Sequence, residues 1–352
     1  MQQTVVSGVA MWSAWQPDRN LFFNSFFVSS PEGNFAVDPL PLPEADAADI
    51  ASRGGLAWIV VTNRDHERAA RALAARFGAK IAAGALDAAL LGGPVERQLH
   101  DGDTICGARV VALDGLKTPG EFALYFADRR MVIIGDALWG DPAGSLRFMP
   151  DQKLADPPRA VLSLRKIWAL GAEHLLVGDG ACLFGGANRV LGACLEARSD
   201  AYVNRIHVDD AVWKAFPGEP PGFEAAVFEV GDHIGAEKLG YRLLRLLPGN
   251  ASCPLHWHAA EEELFVVMSG RCTLVTPRGD VALRAGDYVA FPTRPDGAHK
   301  LVNASDEACD VLMVANTDVR DVCYYPDSHK VLIEDSDLML RDRPVLDYWD
   351  GE

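Results

Sequence analysis

Near residue 200 the chain changes texture, and that change restricts it to two differently built halves. Before it, apolar runs of strand length alternate with stretches whose apolar residues recur every three to four positions. After it, short apolar runs are separated by Gly, Pro and Asp at regular spacing, with little helical periodicity. The first pattern belongs to a layered α/β fold and the second to an all-β barrel or sandwich. A chain of 352 residues is also long for one core. Two domains are expected, 1–200 and 201–352, with the boundary just after a helical stretch from Ala187 to Arg198.

In the first half, Phe22 to Val28, the turn Ser29 to Asn34 and Phe35 to Val37 read as a hairpin ended by Asp38-Pro39. Trp58 to Val61 is a short buried strand. Asp65 to Phe77 then takes up a helical period through Ala70, Leu73 and Phe77, with Gly78 as its stop. Phe122 to Phe126 and Met131 to Ile134 form a second hairpin. Val161, Leu164, Ile167 and Trp168 mark a helix, and Leu175 to Val177 a strand.

Composition removes several classes of partner. The net charge is −16, and it is concentrated late: residues 1–200 hold 19 basic and 23 acidic groups, residues 201–352 hold 14 and 26. Such a surface repels phosphate backbones and anionic lipid, so neither nucleic acid nor membrane is expected as a partner. No apolar run approaches the roughly 20 residues that span a bilayer. With no basic residue before Arg19, the N-terminus does not read as a secretory signal, and the expected location is the cytoplasm. Seven cysteines without a C-x-x-C pair read as reduced thiols.

The densest chemistry is C-terminal. His256-Trp257-His258 is followed by Glu261-Glu262-Glu263 and Gly270, and later by Gly286, Pro292, Gly297, His299 and Asn303. On a strand, His256 and His258 project to one face. A carboxylate from the next strand and a third imidazole would complete a shell of nitrogen and oxygen donors suited to a divalent first-row ion.

These residues resemble the two cupin motifs, G-x(5)-H-x-H-x(3,4)-E-x(6)-G and G-x(5)-P-x-G-x(2)-H-x(3)-N. Gly249 precedes His256 by one extra residue, and Glu263 fits the carboxylate position better than Glu262. The interval from Pro292 to Gly297 is stretched by three residues, and that from Gly297 to His299 is shortened by one. The resemblance covers 202–352, including the tail Arg341 to Glu352. It implies a double-stranded β-helix (cupin barrel), commonly a homodimer, with His256, His258, Glu263 and His299 on one Zn, Mn, Fe or Ni ion.

The first half resembles the metallo-β-lactamase fold, an αββα sandwich, over residues 8–198. It does so through Trp58 to His66, Lys117-Thr118-Pro119-Gly120, Gly135-Asp136 and Gly178-Asp179-Gly180. The family's H-x-H-x-D-H motif falls on Val61, Asn63, Asp65 and His66; its next histidine falls on Lys117 and its last on Asp179. The losses empty the first metal site. Asp65, His66, Asp136 and Asp179 are left as a candidate mononuclear centre for a hard ion such as Mn or Fe. Against that stands a metal-free pocket in which Lys117 pairs with Asp136 or Asp179 and Asp65 is a helix N-cap.

The expected function is that of a small-molecule metalloenzyme centred on the cupin domain, with Tyr241, Tyr288 and His233 as candidate proton donors. The alternatives are a non-catalytic metal- or metabolite-binding module, and a mononuclear metallohydrolase in the first domain.

Overall fold

The computed structural model describes residues 1–199, 202–215 and 220–342. Most of the tail that resembles other cupin endings, residues 343–352, lies outside the described residues. The chain divides into two compact units, Met1–Arg205 and Ile206–Glu352. Both are rich in sheet, with few helices. No helix among the described residues is long and apolar enough to cross a membrane. All seven cysteines are free thiols.

The first unit is organised around one fourteen-stranded sheet. Phe35–Val37, Trp58–Val61, Lys80–Gly84 and Arg97–Leu99 run parallel. Leu21–Val28 and Phe35–Val37 form the expected hairpin, as do Phe122–Phe126 and Met131–Gly140. The two halves of the sheet meet through a single paired position, Asp179 against Phe23. Strands from both halves bury Val9, Phe26, Phe35, Val60, Phe122, Leu124 and Ile133 in a shared core. A second core lies under the helices Pro157–Ala169 and Ala187–Ser199, and a third under Glu44–Ser52 and Ala70–Phe77.

One expected element starts later than its sequence pattern. Asp65 to Phe77 is not one helix: a 3-10 turn at Arg64–His66 is followed by a break, and the α-helix begins at Ala70. The break is at Arg68, whose φ of 37° lies in the left-handed region that non-glycine residues avoid.

The second unit is built from three antiparallel sheets. The largest pairs Ala225–Glu229, Leu239–Leu246, Cys309–Asn316, Glu263–Ser269 and Tyr288–Phe291 in that order, with a short strand at its start. Arg271–Thr276 lies between Gly279–Arg284 and Lys300–Val302 in another. Trp257–His258, Val322–Tyr325, Lys330–Ile333 and Leu338–Arg341 make the third. The alternating residues Val227, Leu244, Phe265, Val267, Leu274 and Val311 point into one core. The stretched interval of the second histidine motif is a 3-10 turn at Pro295–Gly297. A Cβ on Gly297 would stand 2.2 Å from the Pro292 carbonyl oxygen, so only glycine fits there.

Candidate functional site

In the second unit, strand alternation and one isolated bridge bring the predicted ligands together. Trp257 stacks on Tyr324 at 4.2 Å across the strand pair. His256 and His258 project to the other face, with ring centroids 5.0 Å apart. His299 arrives opposite His256: each backbone N–H donates to the other's carbonyl, at 3.2 and 2.9 Å. Glu263 opens its strand with Oε2 3.2 Å from His299 Nε2 and 3.7 Å from His258 Nε2.

Each imidazole is oriented through its Nδ1. His256 Nδ1 donates to the Pro254 carbonyl at 3.0 Å, and His299 Nδ1 to that of Gly297 at 3.0 Å. Because a carbonyl only accepts, both rings carry hydrogen on Nδ1, and Nε2 is the nitrogen turned toward the centre. His258 Nδ1 donates to Asp321 Oδ2 at 2.6 Å. The other oxygen of Asp321 accepts the backbone N–H groups of Ala260 and Glu261. Histidines that bind metal through one nitrogen are held in this way through the other.

The residues fit a divalent ion. His299 Nε2 and Glu263 Oε2 are buried, and neither has a hydrogen-bond partner. They approach to 3.2 Å, close enough for one cation to take both as ligands. Donor atoms of His256, Glu263 and His299 lie within 4.8 Å of one another, and so do those of His256, His258 and Cys323. Burial and the neighbouring His299 push the His256 imidazole down to about 4, which keeps it neutral. Burial would raise Glu263, but nearby His299, His258 and His256 outweigh it and hold the carboxyl below its usual range.

A cavity of about 370 Å³ opens beside His256, His258 and Glu263 and is lined also by Tyr241, Arg242 and Tyr325. Of the expected proton donors, only Tyr241 reaches it. Tyr288 is 72% exposed and does not line it. His233 packs on Phe228 with Nδ1 against the Glu229 carbonyl. Two neighbours carry no sequence signal. Asp321 is 63 residues from the histidine it holds. Tyr325 stacks near His256 at 6.0 Å, and burial raises its hydroxyl well above the usual range.

The first unit gathers a second cluster where parallel strands end. The register between Met131–Gly140 and His174–Gly180 shifts between Ile134 and Trp139, which frees Asp136 from the ladder. Gly135 lets the chain pass closely: a Cβ there would meet Thr62 Oγ1 at 2.6 Å. Donor atoms of His66, Asp136 and Asp179 converge within 4.8 Å. Asp65 does not join them. Its carboxylate, 38% exposed, pairs with Lys117, and the N-cap of the 3-10 turn is Asn63, whose Oδ1 accepts from Asp65 N–H. Lys117 therefore pairs with Asp65, not with the expected Asp136 or Asp179.

His66 sits between two carboxylates, with Nδ1 2.8 Å from Asp38 Oδ2 and Nε2 2.9 Å from Asp136 Oδ1. Burial opposes its protonation, but Asp38 and Asp136 prevail and raise it to about 10. Burial would raise Asp136, yet the hydrogen bond and charge of His66 bring it down to about 2. Burial and repulsion from Asp136 push Asp179 up to about 6. Arg68 enters the same cluster, Nη2 lying 3.0 Å from His66 Nε2 and 3.8 Å from Asp179 Oδ1.

Residues 2–196 match the family model described as metallo-beta-lactamase superfamily, and residues 242–315 match that of the cupin domain. No curated protein matches the chain. Among solved structures, a sugar phosphate isomerase from a cupin superfamily of Silicibacter pomeroyi is 24% identical, over 41% of this chain and 97% of its own, with a TM-score of 0.37. A protein crystallised in a di-iron-bound form is 25% identical, over 53% of this chain and 98% of its own, with a TM-score of 0.42. A metallo-beta-lactamase from Pontibacter korlensis is 15% identical, over 56% and 98%, with a TM-score of 0.46. The chain belongs to the metallo-beta-lactamase superfamily through its first unit, and carries a cupin domain in its second.

Proposed function

We propose that the cupin domain holds one divalent metal on His256, His258, His299 and Glu263 and works as a metalloenzyme on a small molecule. The observation that carries this reading is the shared orientation: three Nδ1–H groups are committed outward, the Nε2 atoms of His258 and His299 face the Glu263 carboxylate, and a donor atom of His256 lies within 4.8 Å of those of Glu263 and His299. A bound Zn, Mn, Fe or Ni ion would supply a Lewis-acid or oxygen-binding centre there. The reading takes the first unit as an αββα sandwich and the second as a double-stranded β-helix, in keeping with the three cores and three sheets described.

The remaining roles belong to this chain's side chains. The cavity is of small-molecule size. Tyr325 and Tyr241 line it, and the raised Tyr325 hydroxyl stays protonated at neutral pH, able to donate a hydrogen bond to substrate. Arg242, ion-paired with Glu229 at 2.7 Å, is the cation of a wall that also carries Glu261 and Glu334. Such a wall favours a neutral or cationic polar molecule over a polyanion. A homodimer in the cytoplasm completes the proposal.

The test is elemental analysis of the purified full chain, followed by turnover screens with the metal found. About one equivalent per chain, lost in H256A/H258A, supports the site. Turnover that falls in Y325F with metal content unchanged supports the enzyme. Metal without turnover of any small molecule would leave a binding module, and an unaltered metal content in H256A/H258A would remove the site itself.

A further inference from the structure

We propose that the Arg68 guanidinium occupies the N-terminal centre in place of a divalent metal, so that this superfamily member keeps the pocket but excludes the ion. The cluster holds three carboxylates, Asp38, Asp136 and Asp179. An imidazole and a guanidinium already stand among them. His66 bridges Asp38 and Asp136 at 2.8 and 2.9 Å. The Arg68 guanidinium lies 3.0 Å from His66 Nε2 and 3.8 Å from Asp179 Oδ1.

Arg68 is held in that position. Its side chain is 10% exposed, Nη1 donates to the carbonyls of Asn24 and Asp38 at 2.9 and 3.2 Å, and the guanidinium rests over Phe23 at 5.0 Å. The backbone accepts a φ of 37° to aim it inward, a conformation retained in a non-glycine residue only where surrounding contacts enforce it. A metal on His66, Asp136 and Asp179 would have to displace from His66 Nε2 and Asp179 a guanidinium that cannot deprotonate. The half of the family's centre that falls on Val61, Asn63 and Lys117 offers no alternative, since Lys117 is engaged with Asp65.

The experiment measures metal content in the full chain with the cupin site removed. H256A/H258A, incubated with excess Zn²⁺ or Mn²⁺ and desalted, is expected to keep less than about a tenth of an equivalent. Adding Arg68→Gly, which tolerates the left-handed backbone, is expected to raise this to about one equivalent, lost again when His66→Ala is added. Arg68→Lys, which keeps the charge, is expected to stay metal-free. The proposal is overturned if H256A/H258A retains an equivalent that His66→Ala removes. It is equally overturned if the Arg68→Gly protein, folded by its near-UV dichroism, gains no metal. If that variant does not fold, zinc titration of H256A/H258A with and without Asp136→Asn decides: absence of binding in both supports the proposal, and binding that needs Asp136 overturns it.

Discussion

Each unit brings imidazole and carboxylate groups together in a buried place, yet the clusters are built on opposite terms. In the second unit, the ion-pair partners of Glu263 among the described residues are His258 and His299. Each ring there gives its hydrogen to a group outside the centre. In the first unit, both nitrogens of His66 face carboxylates, and a guanidinium stands beside them. The donor sets are inverted, three imidazoles with one carboxylate against one imidazole with three carboxylates, and it is the carboxylate-rich cluster that holds a guanidinium in its midst.

Crossing single substitutions between the clusters gives the largest effects. His258→Ala should remove most of the bound metal with a modest loss of stability, whereas His66→Ala should leave metal content unchanged. His66→Ala should also lower unfolding free energy by about 3–5 kcal/mol, because buried carboxylates lose their partner. Elemental analysis and denaturant unfolding read the two axes, and loss of metal in His66→Ala would erase the contrast. Next in size is Asp321→Asn, which keeps the shape but weakens the hold on His258; metal affinity in a chelator competition should fall about 10–100-fold. A similar fall for Asp38→Asn would contradict the comparison.

A pH effect belongs to the first unit. The His66 imidazole rises from 6.5 to about 10 on folding. Its contribution to stability is therefore fully present below pH 6.5 and is lost as pH climbs to about 10. Wild-type protein should lose stability across that window more steeply than His66→Gln, as urea midpoints would show; equal slopes would mean that the ring is neutral. The smallest effect is expected from Lys117→Met. That pair with Asp65 is 38% exposed on both sides, so stability should change by less than about 1 kcal/mol and metal content not at all.

How much of this was legible in the sequence depended on the distance over which each decision is taken. Hairpins such as Leu21–Val28 with Phe35–Val37 follow from local alternation and turn residues. His256, His258, Glu263 and His299 could be selected because strand alternation and motif spacing are themselves sequence quantities. Asp321 could not, since only the pairing of Trp257–His258 with Val322–Tyr325 brings it across 63 residues. Arg68 was hidden differently. Read as part of a helix running from Asp65, a residue two positions beyond His66 points to another side. The left-handed turn at Arg68 reverses that direction and breaks the helix. An internal cation was expected from Lys117, and the nearer residue took the role.

The clamp from Asp321 to His258 has a consequence for biosynthesis. The four candidate ligands are all translated by residue 299. The strand that fixes His258 and closes over Trp257 comes only with residues 321–325. A nascent chain therefore passes through a stage in which every donor has been made but one ring is still free to rotate. Stable capture of an ion would wait for that late segment, and a chain cut before Asp321 would emerge with its donors intact and its grip unfinished.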